Sequence, residues 1–185
     1  YCQSEIANCT KKNGGNLMSR SFLFIPGNTP AMIQNLDVFE SDAIIIDLED
    51  SVLLNDKDAA RILVSQFLAN YQFTNTDIYI RTNDTNSPQF KEDIAVLDSL
   101  TITGYVLPKA LPKDISLLEE LTKKDIIPII ESPMAFLRVE EIAAFNQVKG
   151  LLLGAEDFTK EMGISRSIEG KEISYVRSHI AIVCR

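Results

Sequence analysis

Four apolar runs in this chain each end in charged or polar residues: IIIDLED (44–50), IYIRTN (78–83), IIPIIES (126–132) and LLLGAED (151–157). Each reads as a buried strand whose last residues turn polar. The runs do not alternate apolar with polar, the pattern of strands covered on both faces. Amphipathic, helix-like segments lie between them. Parallel strands joined by helices point the same way, so Asp47, Glu49, Asp50, Arg81, Glu131 and Asp157 are expected at one end of a parallel sheet. Catalytic and metal-binding groups collect at that end in α/β folds.

The remaining elements follow the same alternation. SFLFIP (21–26) reads as strand one, AIIIDL (43–48) as strand two and DIYIRT (77–82) as strand three. GYVLPK (104–109) is strand four, IIPIIES strand five and GLLLGAED (150–157) strand six. Thr29 and Pro30 open a first helix that runs to about Phe39, as N-cap and first helical residue. A second helix runs from Asn55-Asp56 to about Asn70, with Ala59, Ala60, Ile62, Leu63 and Phe67 as its apolar face. Helices follow over 90–99, 115–124 and 133–146, and a last one begins near Lys171. Residues 1–18 are polar, with Asn-Gly-Gly in the middle, and read as a flexible leader before a domain over 19–185.

Two folds fit the alternation: an open doubly wound sheet, or part of a (β/α)8 TIM barrel. No G-x-G-x-x-G follows strand one, and there is no Walker A loop. Functional-looking groups at the ends of five strands suit a barrel, which gathers strand ends around one axis. A complete barrel takes about 250 residues, so this chain of 185 would hold six strands and stop after the sixth. Tyr1 in place of Met, and a helical pattern still running at Arg185, fit an incomplete chain.

A net charge of −8 without a basic block argues against nucleic acid as the main partner. No apolar run approaches the roughly 20 residues that span a bilayer. The N-terminus lacks the apolar core of a secretory signal, and a cytoplasmic location is expected. Three cysteines (Cys2, Cys9, Cys184) form no disulfide framework pattern, and a lone His179 argues against a His-based zinc site.

Glu131 and Asp157 end consecutive apolar strands. Burying two carboxylates there is costly unless something compensates. One solution is a divalent cation; hard oxygen donors with no His or Cys nearby point to Mg²⁺. The other is an ion pair with Lys or Arg, or a helix cap. Arg81 can grip a substrate carboxylate bidentately, or pair with the Asp47-Leu48-Glu49-Asp50 cluster. Lys109, in LPKA, can orient acidic groups, serve as a base, or form a Schiff base; an ion pair is its simpler role. No Ser-His-Asp or Cys-His arrangement is readable.

RSFLFIPGN, DLEDSV, IRTN, LPKA, IIESP and GAEDF, in this order and spacing, resemble the citrate lyase β-subunit branch of the HpcH/HpaI aldolase and malyl-CoA lyase group. The resemblance runs from about Arg20 to Arg185. It implies a TIM-barrel lyase that binds Mg²⁺ through Glu131 and Asp157, with Arg81 on a substrate carboxylate and Glu131 also near substrate. Asp47, Glu49 and Asp50 would order the site. Arg20 and the Phe22–Gly27 segment, with Pro26 and Gly27, match a region near the acyl thioester.

The implied reaction splits a citryl thioester, on acyl carrier protein or CoA, into oxaloacetate and an acetyl thioester. The implied setting is a homo-trimer or homo-hexamer within a citrate lyase complex, beside acyl carrier protein and transferase subunits. The alternatives are a malyl-CoA or citramalyl-CoA lyase of the same family, or a catalytically incomplete fragment that only binds partner subunits. The family's C-terminal region, with its aspartate acid/base, has no counterpart in these residues.

Overall fold

The computed structural model describes residues 5–8, 21–71 and 76–185. These fall into two compact units, one comprising residues 17–106 and the other residues 1–16 together with 107–185.

The 17–106 unit is built on parallel strands β2 (Phe22–Pro26), β3 (Ala43–Asp47), β4 (Asp77–Arg81) and β5 (Gly104–Leu107), adjacent in that order. Every residue of β3 is buried, as its unbroken isoleucine run requires. The register places Pro26 beside Asp47 and Asp47 beside Arg81, so the last residues of three strands lie in one row. The ladder runs on past them: Gly27 N–H donates to Asp47 O (2.8 Å), Leu48 N–H to Arg81 O (3.0 Å) and Thr82 N–H to Val106 O (3.2 Å). Gly27 has to be glycine here, because a Cβ would lie 2.7 Å from Leu48 Cδ2 and 2.8 Å from Asp47 O.

The expected first helix is shorter than its pattern: α1 spans Pro30–Ile33 and a 3₁₀ turn covers Leu36–Val38. Helix α2 (Lys57–Asn70) has the expected length but a different inner face. Ala60, Arg61, Val64 and Leu68 are buried, whereas Ala59 and Ile62 are exposed. The reason is an ion pair. Arg61 Nε donates to Asp93 Oδ1 (2.9 Å) on α3 (Pro88–Leu97), and Asp93 also accepts from Asn83 N–H (3.0 Å) and Asn83 Nδ2 (2.8 Å). A buried, paired arginine turns the helix so that its aliphatic neighbour Ile62 faces out.

In the other unit, β6 (Asp125–Ile130) and β7 (Gly150–Leu153) are parallel, with Ile129 beside Leu152 and Ile130 beside Leu153. Residues Glu5–Asn8, expected within a flexible leader, instead form β1, antiparallel to β7 with Glu5 beside Leu153. A strand edge offers a row of unpaired N–H and C=O groups to any extended segment, and these residues satisfy it. The rest of the expected leader lies outside the described residues, as do Arg20, Cys2 and Cys9.

The helices of this unit are α4 (Pro112–Leu121), α5 (Pro133–Leu137), α6 (Val139–Ala143), α7 (Ala155–Glu161) and α8 (Ser174–Val183). The single helix expected over 133–146 is two, divided at Arg138, whose backbone (φ −114, ψ 14) leaves the helical region. Strand six ends earlier than expected. β7 stops at Leu153, and Asp157 sits in the first turn of α7 rather than at a strand end. His179 packs against the Phe136 ring (centroids 5.3 Å apart) and Tyr175. No helix among the described residues is long and apolar enough to cross a membrane.

Candidate functional site

Two groups of charged side chains stand at strand C-terminal ends, one in each unit. In the 17–106 unit the centre is Asp47, which is buried. Its Oδ1 accepts from Arg81 Nε and its Oδ2 from Arg81 Nη2, both at 2.7 Å, a bidentate fork. Its oxygens also accept from the N–H groups of Glu49 (2.8 Å) and Ser51 (3.0 Å). Arg81 Nη1 reaches Glu49 Oε2 at 3.1 Å and the more exposed Asp50 Oδ2 at 3.5 Å. Burial alone would raise the Asp47 pKa. The Arg81 fork and charge, with the Ser51 and Glu49 donors, outweigh it and hold the carboxyl below its ordinary value.

Of the two sequence readings of Arg81, the ion pair with the acidic turn is therefore present, and the guanidinium arrives already oriented. Two groups the sequence reading passed over complete the cluster. Lys57 Nζ donates to the carbonyl oxygens of Leu48 and Glu49, both at 2.8 Å, and pins the turn from below. The Phe24 ring lies 5.4 Å from the Arg81 guanidinium carbon, within cation–π range. Phe24 lies two residues before Pro26 and so on the same face of β2. Lys57 had no signal beyond its place at a helix start.

Pro26 and Gly27, expected near the acyl thioester, lie beside Asp47. Phe22 does not. It starts β2, in register with Ala43, with its ring against Tyr79 (6.1 Å). Four residues of strand, about 13 Å at 3.3 Å per residue, separate it from Pro26, so a strand that places one by the acidic turn places the other at the far end.

In the second unit Glu131 follows β6 directly and is buried. Its Oε1 accepts from Lys109 N–H at 2.6 Å. Its Oε2 faces Gly154, where a Cβ would sit 2.9 Å from that oxygen and 2.7 Å from Glu131 Cβ. Gly154 itself donates its N–H to Ile130 O (3.0 Å), which holds the two strand ends together. The Lys109 side chain is exposed, and its backbone has a positive φ of 49. Asp157 is exposed, two residues beyond Ala155 at the start of α7, and has no hydrogen-bond or ion-pair partner among the described residues. Its neighbours anchor the turn: Phe158 is buried, and Glu156 Oε1 lies 3.5 Å from Arg166 Nε.

The donor chemistry suits a hard divalent cation: one carboxylate directly after β6, one in the first turn of α7, and neither His nor Cys in the set. Among the described residues no group of three or more His, Cys, Asp or Glu is placed to hold a metal. Mg²⁺ suits such a sparse set because it keeps several waters and takes only one or two carboxylates.

The parallel strands with helices between them, and the charged groups at their C-terminal ends, define an α/β protein. Residues 20–185 match the family model described as HpcH/HpaI aldolase/citrate lyase, and the chain belongs to that family. It is 33% identical over 182 residues to the citrate lyase subunit beta of Leuconostoc mesenteroides subsp. cremoris, covering 91% of this chain and 60% of that protein. It is 31% identical to the L-malyl-CoA/beta-methylmalyl-CoA lyase of Rhodobacter capsulatus, covering 89% of this chain and 57% of that one. Among solved structures, a citrate lyase beta subunit from M. tuberculosis complexed with oxaloacetate and magnesium superimposes with a TM-score of 0.74 at 28% identity, covering 88% of this chain and 72% of that one. The chain thus spans about three fifths of the length of the curated relatives it matches.

Proposed function

We propose that this chain carries the metal-binding and keto-acid-binding groups of a Mg²⁺-dependent carbon–carbon lyase, the β subunit of a citrate lyase, and that its six strand–helix units belong to a (β/α)8 barrel. The observation that carries the reading is Glu131: a buried carboxylate with one oxygen tied to a backbone N–H and the other turned to a glycine. The family match and the oxaloacetate and magnesium of the M. tuberculosis relative support it.

The substrate is a citryl thioester, on an acyl carrier protein or CoA. A base takes the hydroxyl proton, the carbon–carbon bond breaks as the C=O of oxaloacetate forms, and the electron pair leaves on the acetyl thioester as its enolate. That enolate then takes a proton on carbon. Glu131 and Asp157 hold Mg²⁺, which supplies a Lewis acid for the oxo-acid half. Arg81 holds a carboxylate of the same half. Its contact with Asp50 is the longest of its set and involves an exposed partner, so that contact yields to substrate while the Asp47 fork keeps the guanidinium aimed. Asp47, Glu49 and Asp50 keep Arg81 charged and fixed, which is positioning rather than bond making. Pro26 and Gly27, with Arg20, flank the thioester end. The natural setting is the cytoplasm, as a homo-oligomer with the transferase and acyl-carrier subunits.

Titration of the chain with Mg²⁺, then Mg²⁺ with oxaloacetate, tests this. Expected are heat-detected Mg²⁺ binding that tightens with oxaloacetate and is lost in Glu131→Gln and Asp157→Asn. Wild-type Mg²⁺ affinity in both variants would overturn it. A second reading, a malyl-CoA-type lyase, rests on the Rhodobacter capsulatus relative. Cleavage of malyl-CoA in preference to citryl thioesters by the full-length protein would establish it instead.

A further inference from the structure

We infer that Lys57 is a positioning residue for the oxo-acid site: its ammonium acts through the Leu48–Glu49 peptide to fix the Asp47 carboxylate and, with it, the Arg81 guanidinium. The inference rests on the reading above, in which Arg81 holds a substrate carboxylate. Lys57 is the first residue of α2. A helix start carries partial positive charge, so a cation is disfavoured there. The ammonium is held instead by two carbonyl oxygens outside the helix, those of Leu48 and Glu49, each at 2.8 Å.

The peptide between Leu48 and Glu49 carries the connection. In a trans peptide the C=O and the N–H point opposite ways, and no peptide bond among the described residues is cis. On one side the Leu48 carbonyl accepts from Lys57 Nζ; on the other the Glu49 N–H donates to Asp47 Oδ1 at 2.8 Å. Asp47 Oδ1 also accepts from Arg81 Nε at 2.7 Å. A row of hydrogen bonds therefore runs from one cation, through a peptide and an anion, to a second cation. Bonds in such a row polarise one another, so a cation on the carbonyl oxygen makes the N–H a stronger donor. The next carbonyl, of Glu49, is fixed by Lys57 and by Val52 N–H (3.1 Å), and the Leu48 N–H is bonded to Arg81 O. Lys57 is half-buried, and the carboxylates that act on its charge are Asp47, Glu49, Asp93 and Asp50. It thus adds a second cation to a turn in which Asp47, Glu49 and Asp50 all contact Arg81. Without the tether the turn is free to shift, and misplacing a substrate-holding group by about 1 Å can cost about 100-fold.

The test compares Lys57→Met with Lys57→Arg and with Lys91→Met, which removes the same charge from an exposed position on α3. Calorimetry measures oxaloacetate affinity of the Mg²⁺-loaded chain. Expected is a loss of about tenfold or more in Lys57→Met. Lys91→Met keeps wild-type affinity, and Lys57→Arg recovers it, having the charge and N–H groups for both carbonyls. Mg²⁺ affinity without oxaloacetate stays at the wild-type value in all three, because Glu131 and Asp157 are untouched; general loss of the fold would lower both affinities. Two proton signals read the row without any ligand. In Lys57→Met the Glu49 amide proton moves upfield and the Arg81 Nε proton exchanges faster with water. Unchanged oxaloacetate affinity in Lys57→Met, or an equal loss in Lys91→Met, would overturn the inference. So would Glu49 amide and Arg81 Nε protons indifferent to Lys57. Failure of the wild type to bind oxaloacetate with Mg²⁺ would sink the proposed function instead, and the two proton signals would still decide whether Lys57 positions Arg81.

Discussion

Replacing Arg81 with methionine would remove the one cation that faces the buried Asp47 carboxylate as a fork. The side chains of Asp47 and Arg81 are only 4% and 13% exposed, so solvent screens the pair weakly. Asp47 would keep its two backbone donors from Glu49 and Ser51 but lose both charge-assisted bonds. Breaking a buried pair from one side costs about 3–5 kcal/mol, because the remaining charge stays desolvated. For a chain of this size that corresponds to a fall in Tm of about 6–20 °C. The pH dependence has a definite sign. In wild type Asp47 is held below its ordinary value of 3.8, so its contribution is present above that value and is lost as the pH falls through the lowered one. In the variant, burial acts with less opposition and the Asp47 pKa rises relative to wild type. The stability gap between the two proteins is therefore full at neutral pH. It closes in acid, between the variant's pKa and the lower one of wild type. Urea unfolding followed by circular dichroism at neutral and acid pH measures it. A gap under about 1 kcal/mol at pH 7, the size of an exposed pair, or a gap that widens in acid, would refute the electrostatic account.

Gly27→Ala should cost about 1–3 kcal/mol in the same urea assay, since its Cβ would collide with Leu48 Cδ2 and Asp47 O and push β2 away from β3. An unchanged midpoint would show that the strand ends give way easily. Asp93→Ala should cost about 3–5 kcal/mol by leaving the buried Arg61 without its inner partner. Glu92→Ala, which removes a 59% exposed partner of the same guanidinium, should cost less than about 1 kcal/mol. Equal losses in the two variants would mean that burial does not set the strength of these pairs.

The central strands were legible because each is a short apolar run bounded by polar residues; β2 to β5 and β7 lie inside the runs expected of them, and β6 starts one residue before its run, at Asp125. Their ends were less legible. Glu131 and Asp157 follow similar apolar runs, yet one directly follows a strand and the other lies in a helix turn. The difference is Gly154, which ends β7 and caps α7, a boundary that an unbroken LLLGAED run conceals. The inner face of α2 was misjudged because hydrophobicity alone ranks Ile62 above Arg61. Only the carboxylate of Asp93, thirty-two residues further along the chain, reverses that order.

By itself the sequence located the six strands β2 to β7 and the chemical groups that follow them. Periodicity and residue chemistry are local properties, readable over a few residues. Partnership was decided by the tertiary structure. It set the Arg81 fork on Asp47, the Lys57 tether beneath the acidic turn and the Lys109 N–H on Glu131. Those contacts depend on register between strands and on backbone angles at single residues, and both arise only when distant segments pack.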